Sequence, residues 1–227
     1  MRSVKFETGP PGSSIVIVEL SDLTLGKSSK EFEEYEQELF VEIRKNNKLE
    51  YLRKDPLIYS YRVWHWTYGM DPTKTRGSSE AVLRRVLQGK NLWRISDLVD
   101  VINLSSAYHK IPISLIDASK IEGQLTLRRA QKNEEFHRIG GEVIICRGRE
   151  IVLADEIGIV CYGYAIHDSE RTKVTSESKT VLVLLFGTIK ATKELMTKAV
   201  IFTTDMIERW VDCKVSEPSR YVSPAPY

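Results

Sequence analysis

Much that usually names an activity is missing from this chain. No GxGxxG, P-loop, HExxH or GxSxG pattern occurs in its 227 residues. That removes the common dinucleotide, nucleotide, zinc-protease and α/β-hydrolase readings. Cysteine is scarce: Cys146, Cys161 and Cys213 lie far apart with no CxxC pair, so neither a disulfide framework nor a zinc site is expected. The four histidines, His65, His109, His137 and His167, show no metal-ligand spacing. His167 and Asp168 are adjacent, and neighbours in a strand point to opposite faces, which argues against a catalytic dyad. Long apolar runs are also absent. The greasiest stretch, Thr180 to Phe186, is far too short to span a bilayer, and the first residues lack the charged start and apolar centre of a secretory leader. The expectation is a cytoplasmic chain with no membrane partner and no cofactor.

What is present is an ordinary globular composition with uneven charge. The length suits one sizeable core or a core with a small appendage. Net charge is only +2, yet Glu31, Glu33, Glu34, Glu36, Glu38 and Glu42 crowd one segment. Between Lys74 and Arg94, six cations (Lys74, Arg76, Arg84, Arg85, Lys90 and Arg94) face a single acid, Glu80, a local balance of +5. Such a segment suits phosphates, or else it is a solvated helix face. Two further runs mix hydroxyls, a carboxylate and cations: Arg76-Gly-Ser-Ser-Glu80 and Asp168-Ser-Glu-Arg-Thr-Lys-Val-Thr175. Converging in space, they would suit a zwitterion or phosphate ester; the alternative is two solvated turns.

Periodicity lays out the elements. Ser14 to Leu20 reads as a buried strand, and Ser28 with Glu31 forms a capping-box pattern before a helix carrying Phe32, Tyr35, Leu39, Phe40 and Ile43. Leu57 to Tyr68 reads as an aromatic-rich helix, buried in the core or stacking bases. Ser78 or Ser79 is expected to cap a helix ending near Gly89. A largely apolar helix follows from Ser96 to Tyr108, with Asp100, Asn103 and Ser106 along one side. A buried Asp100 must be paired, must line a wet cavity, or must join Asn103 in tying loop amides. Strands are then expected at Ile113 to Ile116, Gln124 to Arg129, Val143 to Cys146, Ile151 to Ala154, Ile159 to Ile166 and Val181 to Phe186. Thr192 caps a long amphipathic helix ending near Asp212. Residues 1–213 are expected to form one compact domain, and 214–227 a flexible tail. Helices precede the sheet strands and one follows, so the class is α+β.

Several segments together resemble the B3/4 domain of the phenylalanyl-tRNA synthetase β subunit, especially its free-standing relatives. They are Leu98-Val-Asp-Val-Ile-Asn103, Pro112 with Asp117, Ile121-Glu-Gly123, Leu127-Arg-Arg-Ala130 with Glu134, and Ile151-Val-Leu-Ala-Asp155. Upstream, Gly69 to Arg76, Ser78 to Ala81 and Arg84-Arg85 are similar to the free-standing form, as is the later Ser169 to Thr175 run. The resemblance implies a layered domain of mixed and antiparallel sheets packed against helices (residues 70–213), preceded by an N-terminal strand and helices (residues 1–69). In bacterial-type synthetases such a domain hydrolyses mischarged tRNA. The family's proofreading histidine, glycine-rich loop and glutamate correspond here to Ser114, to Cys161 through Asp168 and to Leu184, so tyrosine-specific proofreading is not implied.

The function expected on this basis is a trans-acting aminoacyl-tRNA deacylase, or quality-control factor, that binds the tRNA acceptor end and a polar amino acid. It is not a synthetase. The catalytic candidates are Glu170, Arg171, Thr172 and Lys173, with the ammonium held by Glu170 or Asp100 and charge stabilised by Arg171, Lys173 or Thr172. Substrate-binding candidates are Ser78, Ser79, Glu80, Asp100, Asn103, Ser114 and Ser169, and Lys74, Arg76, Arg84, Arg85, Lys90 and Arg94 would hold RNA phosphates. Two alternatives remain open: a non-catalytic module binding RNA or an amino-acid-like ligand, and a small-molecule amidohydrolase.

Overall fold

The computed structural model describes residues 3–9 and 12–223. In chain order the elements are β1 (Val4–Phe6), β2 (Ser14–Thr24), α1 (Lys30–Asn46), α2 (Pro56–Thr67), α3 (Ser78–Leu87) and α4 (Asp97–His109). There follow β3 (Ile113–Asp117), β4 (Leu125–Arg129), β5 (Lys132–His137), β6 (Val143–Arg147), β7 (Ile151–Ala154), β8 (Ile159–Tyr162), β9 (His167–Asp168) and β10 (Val181–Gly187). The chain closes with α5 (Lys193–Trp210), β11 (Asp212–Val215) and β12 (Ser219–Val222). The class is α+β, as the sequence pattern implied. One sheet runs β1-β4-β7-β8-β9, with only β1–β4 parallel; the other runs β11-β2-β10-β3 and is antiparallel throughout. β5 and β6 form a separate hairpin. Among the described residues no helix is long and apolar enough to cross a membrane.

Local chemistry explains the helix boundaries. Asp55 caps α2 by accepting from the Leu57 and Ile58 amides, with Pro56 at the first helical position. The aromatic run of α2 turns Tyr61 and Trp64 into the core, and Tyr59 and Trp66 face solvent. Ser29 caps α1, one residue later than the expected Ser28, because the Ser28 hydroxyl is engaged by Asp100 at 2.7 Å. For α3 the cap is Gly77, with no side-chain capping bond. Ser78 Oγ instead donates to the Ala165 carbonyl at 2.5 Å. Thr192 caps α5 as expected.

Three expectations need correction. The strand expected over Ile159 to Ile166 ends at Tyr162 as β8; the chain turns at Gly163, Tyr164 and Ala165, with φ of 70°, 58° and 63°, and β9 begins only at His167. Left-handed geometry costs an L-residue roughly 1–2 kcal/mol. Tyr164 offsets it from the core: its hydroxyl donates to the Ser14 and Gly187 carbonyls at 3.0 and 2.9 Å, and its ring meets Trp64 and Phe186 at 4.5 and 4.9 Å. Strand β5 was missed because Lys132 to His137 is mostly polar and pairs only with β6. The expected loose tail contains β12, whose Ser219 to Val222 pair with Ile17 to Ser14 of β2. Pro224 and Pro226 lie outside the described residues. Pro218 sits between β11 and β12, where pairing to β2 lapses.

Because one hydroxyl serves two buried carbonyls, Tyr164→Phe should leave both without that donor. The expected loss is roughly 2 kcal/mol of stability, read from urea unfolding at neutral pH; an unchanged midpoint would show that water or relaxation replaces the bond.

A basic cleft between helix α3 and strand β9

The N-terminus of α3 is tied to the β8–β9 turn by the Ser78–Ala165 bond, and His65 of α2 hydrogen-bonds Gly163 of the same turn. This brings the exposed side of α3 against His167, immediately after the turn. The hairpin of β5 and β6 reaches the same place: Ile139 N donates to Asp168 O at 3.1 Å and Glu170 N to His137 O at 2.8 Å. A cleft of about 430 Å³ opens here. Its walls carry Lys74, Arg76, Arg84, Arg85 and Arg138, with Trp93 and His167, and no carboxylate is among the lining residues.

The electrostatics follow from what lies beneath. Glu80, a candidate ligand-binding acid, is buried and accepts two bonds from Arg62 at 2.6 and 2.9 Å. It reaches Arg84 only at 3.7 Å. Arg84 is held below the ordinary arginine range, first by burial and also by Arg76, Arg53 and Arg62, against the opposing pull of Glu80. Positive groups are thus packed together at a partly desolvated surface, the condition in which an incoming anion gains most. Arg85 lies over the Trp93 ring at 4.3 Å, and Trp93 is 50% exposed. His167 ends a row of rings, being stacked on Tyr162 at 6.5 Å, which is stacked on Phe136 at 5.3 Å. Burial lowers the His167 pKa, and the Arg138 charge lowers it further.

The other candidates are engaged separately. Arg171 binds Asp155 and the Lys120 carbonyl, both at 2.7 Å, and Thr172 is buried, its carbonyl accepting from the Asp117 amide. Glu170 and Lys173 pair with each other at the surface. Asp100 accepts from the Ile95 amide at 3.0 Å and from Ser28, and so ties the loop before α4. Asn103 is half-buried in α4, Ser79 is buried in α3, and Ser169 Oγ accepts from the Arg171 amide at 3.2 Å. Lys90 is exposed just after α3, outside the cleft lining, and Arg94 pairs with Glu36 of α1. Four of the six RNA-phosphate candidates therefore share the cleft. Arg138, Trp93 and His167 were missed; only tertiary docking of the hairpin and the loop after α3 brings them in.

The B3/4 domain family model matches residues 60–209, about two thirds of the chain. The chain belongs to the B3/4 domain family. Among curated relatives, the phenylalanine–tRNA ligase β subunit of Fusobacterium nucleatum is 28% identical over 101 residues, 44% of this chain and 12% of that protein. The same subunit from Bartonella quintana is 29% identical over 107 residues, 47% of this chain and 13% of that protein. The chain thus spans about an eighth of those relatives. Among solved structures, an N-terminal fragment of the phenylalanyl-tRNA synthetase β subunit from Pyrococcus horikoshii aligns with a TM-score of 0.45 at 15% identity, over 94% of this chain and 51% of that one.

Within this B3/4 domain a second polar cluster lies behind the cleft wall. Asp168 carries a buried carboxyl group whose Oδ1 has no partner among the described residues. Ser114 Oγ stands 3.4 Å from Cys161 Sγ, and both side chains hydrogen-bond Asp168. Burial pushes the Asp168 pKa up to about 6, beyond what these bonds and the Leu115 amide recover. Its folded-state pKa therefore lies above that of an unfolded aspartate. Proton uptake at Asp168 favours the folded state at acid pH, and this contribution is lost as pH rises through about 6. Asp168→Asn, permanently neutral, should exceed the parent by about 3 kcal/mol at pH 7, with the gap closing toward pH 4. Chemical unfolding of both proteins across that range checks it; a gap independent of pH would mean the carboxyl does not titrate there.

Proposed function

We propose that this B3/4 domain is a cytoplasmic tRNA-binding module that takes the phosphates of the acceptor end in the basic cleft. The observation carrying this reading is the set of five cations that line the cleft without a carboxylate among them. Phosphate neutralisation supplies most sequence-independent affinity for nucleic acid, and guanidinium groups suit phosphate oxygens through paired donors. Trp93 and the His167 end of the ring row add flat surfaces on which an unpaired base can stack. The ligase relatives are named for tRNA, which favours that RNA over others.

Hydrolysis of an aminoacyl ester is the second reading. One observation favours it: two buried oxygens, Asp168 Oδ1 and Thr172 Oγ1, have no hydrogen-bond partner among the described residues. Against it, Arg171, Glu170 and Lys173 are held in contacts that explain them without a substrate.

Binding of uncharged tRNA by the full chain should weaken steeply with salt, and the double substitution of Arg76 and Arg85 by Ala should reduce the slope of log affinity against log salt by about 2. Fluorescence anisotropy across a salt series measures this. Incubation with pooled aminoacyl-tRNA should show retention without release of amino acid. Release that survives in the double variant would support hydrolysis away from the cleft, and absence of any tRNA binding would end the proposal.

A further inference from the structure

Helix α5 runs back along the second sheet from the Ser14 end of β2 toward its Thr24 end, since Met196 sits by Gly187 and Ser14, and β11 begins opposite Thr24. On the edge of that sheet β11 and β12 follow one another along β2; Ser216 still bonds Glu19 of β2 through its amide and its hydroxyl, and the chain departs from β2 at Glu217 and Pro218. A groove of about 410 Å³ lies between this edge and α5. It shares no lining residue with the basic cleft. Val16 and the residues from Val215 to Arg220 also lie outside the segment that matches the family.

The floor is apolar: Val16, Met196 and Val200 are buried there, with Val215 half-buried. The rim is charged and ordered along the groove. Lys193, at the start of α5, shares one end with Arg220, which pairs with Val16 of β2. Glu217, in the departure next to Ser216, lies further along, and Glu208 lies near the far end of α5. None of these four side chains makes an ion pair or hydrogen bond among the described residues. Lys193 and Glu208 are separated by about 22 Å at the helical rise per residue.

We infer that this groove binds an extended peptide segment of another protein, with an acidic residue at one end, apolar residues in the middle and a basic residue at the other. The charge order selects this occupant. A single amino acid is too short to meet both ends, and an acyl chain carries no cation for Glu208 and Glu217. Seven extended residues span about 23 Å, which matches the groove, and the acid would face Lys193 and Arg220. Complementary ends set register and exclude wrongly charged partners more than they add affinity, so the floor supplies the contact area and the rim the choice.

The test uses the full chain and an array of end-capped heptapeptides that carry one acid and one base at opposite ends, with Leu, Val, Thr and Ser combinations between. Matched peptides place the two charges together in the middle. Hits are expected only in the first set, with methyl NMR shifts at Val16, Val200 and Val215. The variant K193E/R220E, at exposed rim positions, should bind the same hits at least tenfold more weakly and should gain peptides with Lys at both ends. No hits, equal binding of both sets, shifts away from the groove, or hits untouched by the double variant would each overturn the inference. Thermal unfolding of the variant confirms that any loss comes from the rim and not from misfolding.

Discussion

The arrangement of this domain depends on one strained turn held by one tyrosine. Gly163, Tyr164 and Ala165 adopt left-handed backbone conformations in succession, which the chain does not hold without anchorage. Tyr164 anchors the turn to both central strands of the second sheet, β2 and β10, through two carbonyls. His65 fixes Gly163 from α2, and Ser78 fixes Ala165 from α3. Four elements therefore meet at three residues. Consequently β9, short as it is, lies at a fixed height against α3, and the cleft walls inherit that position.

A second constraint sets the sign of the cleft. A helix that presents Arg84 and Arg85 on one side would ordinarily draw nearby carboxylates to it. Here the one acid of the segment, Glu80, is turned inward and taken by Arg62 in a two-bond contact. Removing either partner would leave an uncompensated buried charge, so the inward position of Glu80 is strongly enforced. Arg94, the last cation of the basic stretch, is drawn toward α1 by Glu36 and lies near Asp100. The acidic helix and the basic segment thus cancel at Arg94 and leave Lys74, Arg76 and Arg85 without an ion pair among the described residues.

Much of the scaffold was legible in the sequence because its signals are local. The apolar spacing of Phe32, Leu39, Phe40 and Ile43 gives α1, the Thr192 cap gives α5, and the run Val181 to Phe186 gives β10. Where the sequence misleads, a distant contact wins over a local preference. Ser28 loses its capping role to Asp100, seventy-two residues away. Ser78 bonds Ala165 in place of its own helix. The break between β8 and β9 is visible locally only as Gly163, and what stabilises the two residues after it comes from β2, β10, α2 and α3.

The candidate site shows the same division. Clustering of cations in one stretch of chain is local information, and it led to four of the five charged groups of the cleft. Convergence of the two polar runs was an assumption about tertiary structure, and the contacts give the second run different work. Arg171 and Asp155 join the loop after β9 to the loop after β7, and Lys120 closes onto the Lys173 carbonyl from the loop after β3. These bonds hold the segment that leads from β9 back to β10. A side chain committed in this way has lost the freedom to meet a substrate without first breaking a structural contact, whereas Lys74, Arg76 and Arg85 of the cleft make no ion pair among the described residues, although Arg138 pairs with Glu142 at 2.7 Å. That difference in satisfaction, more than the presence of polar residues, separates binding surface from framework in this domain.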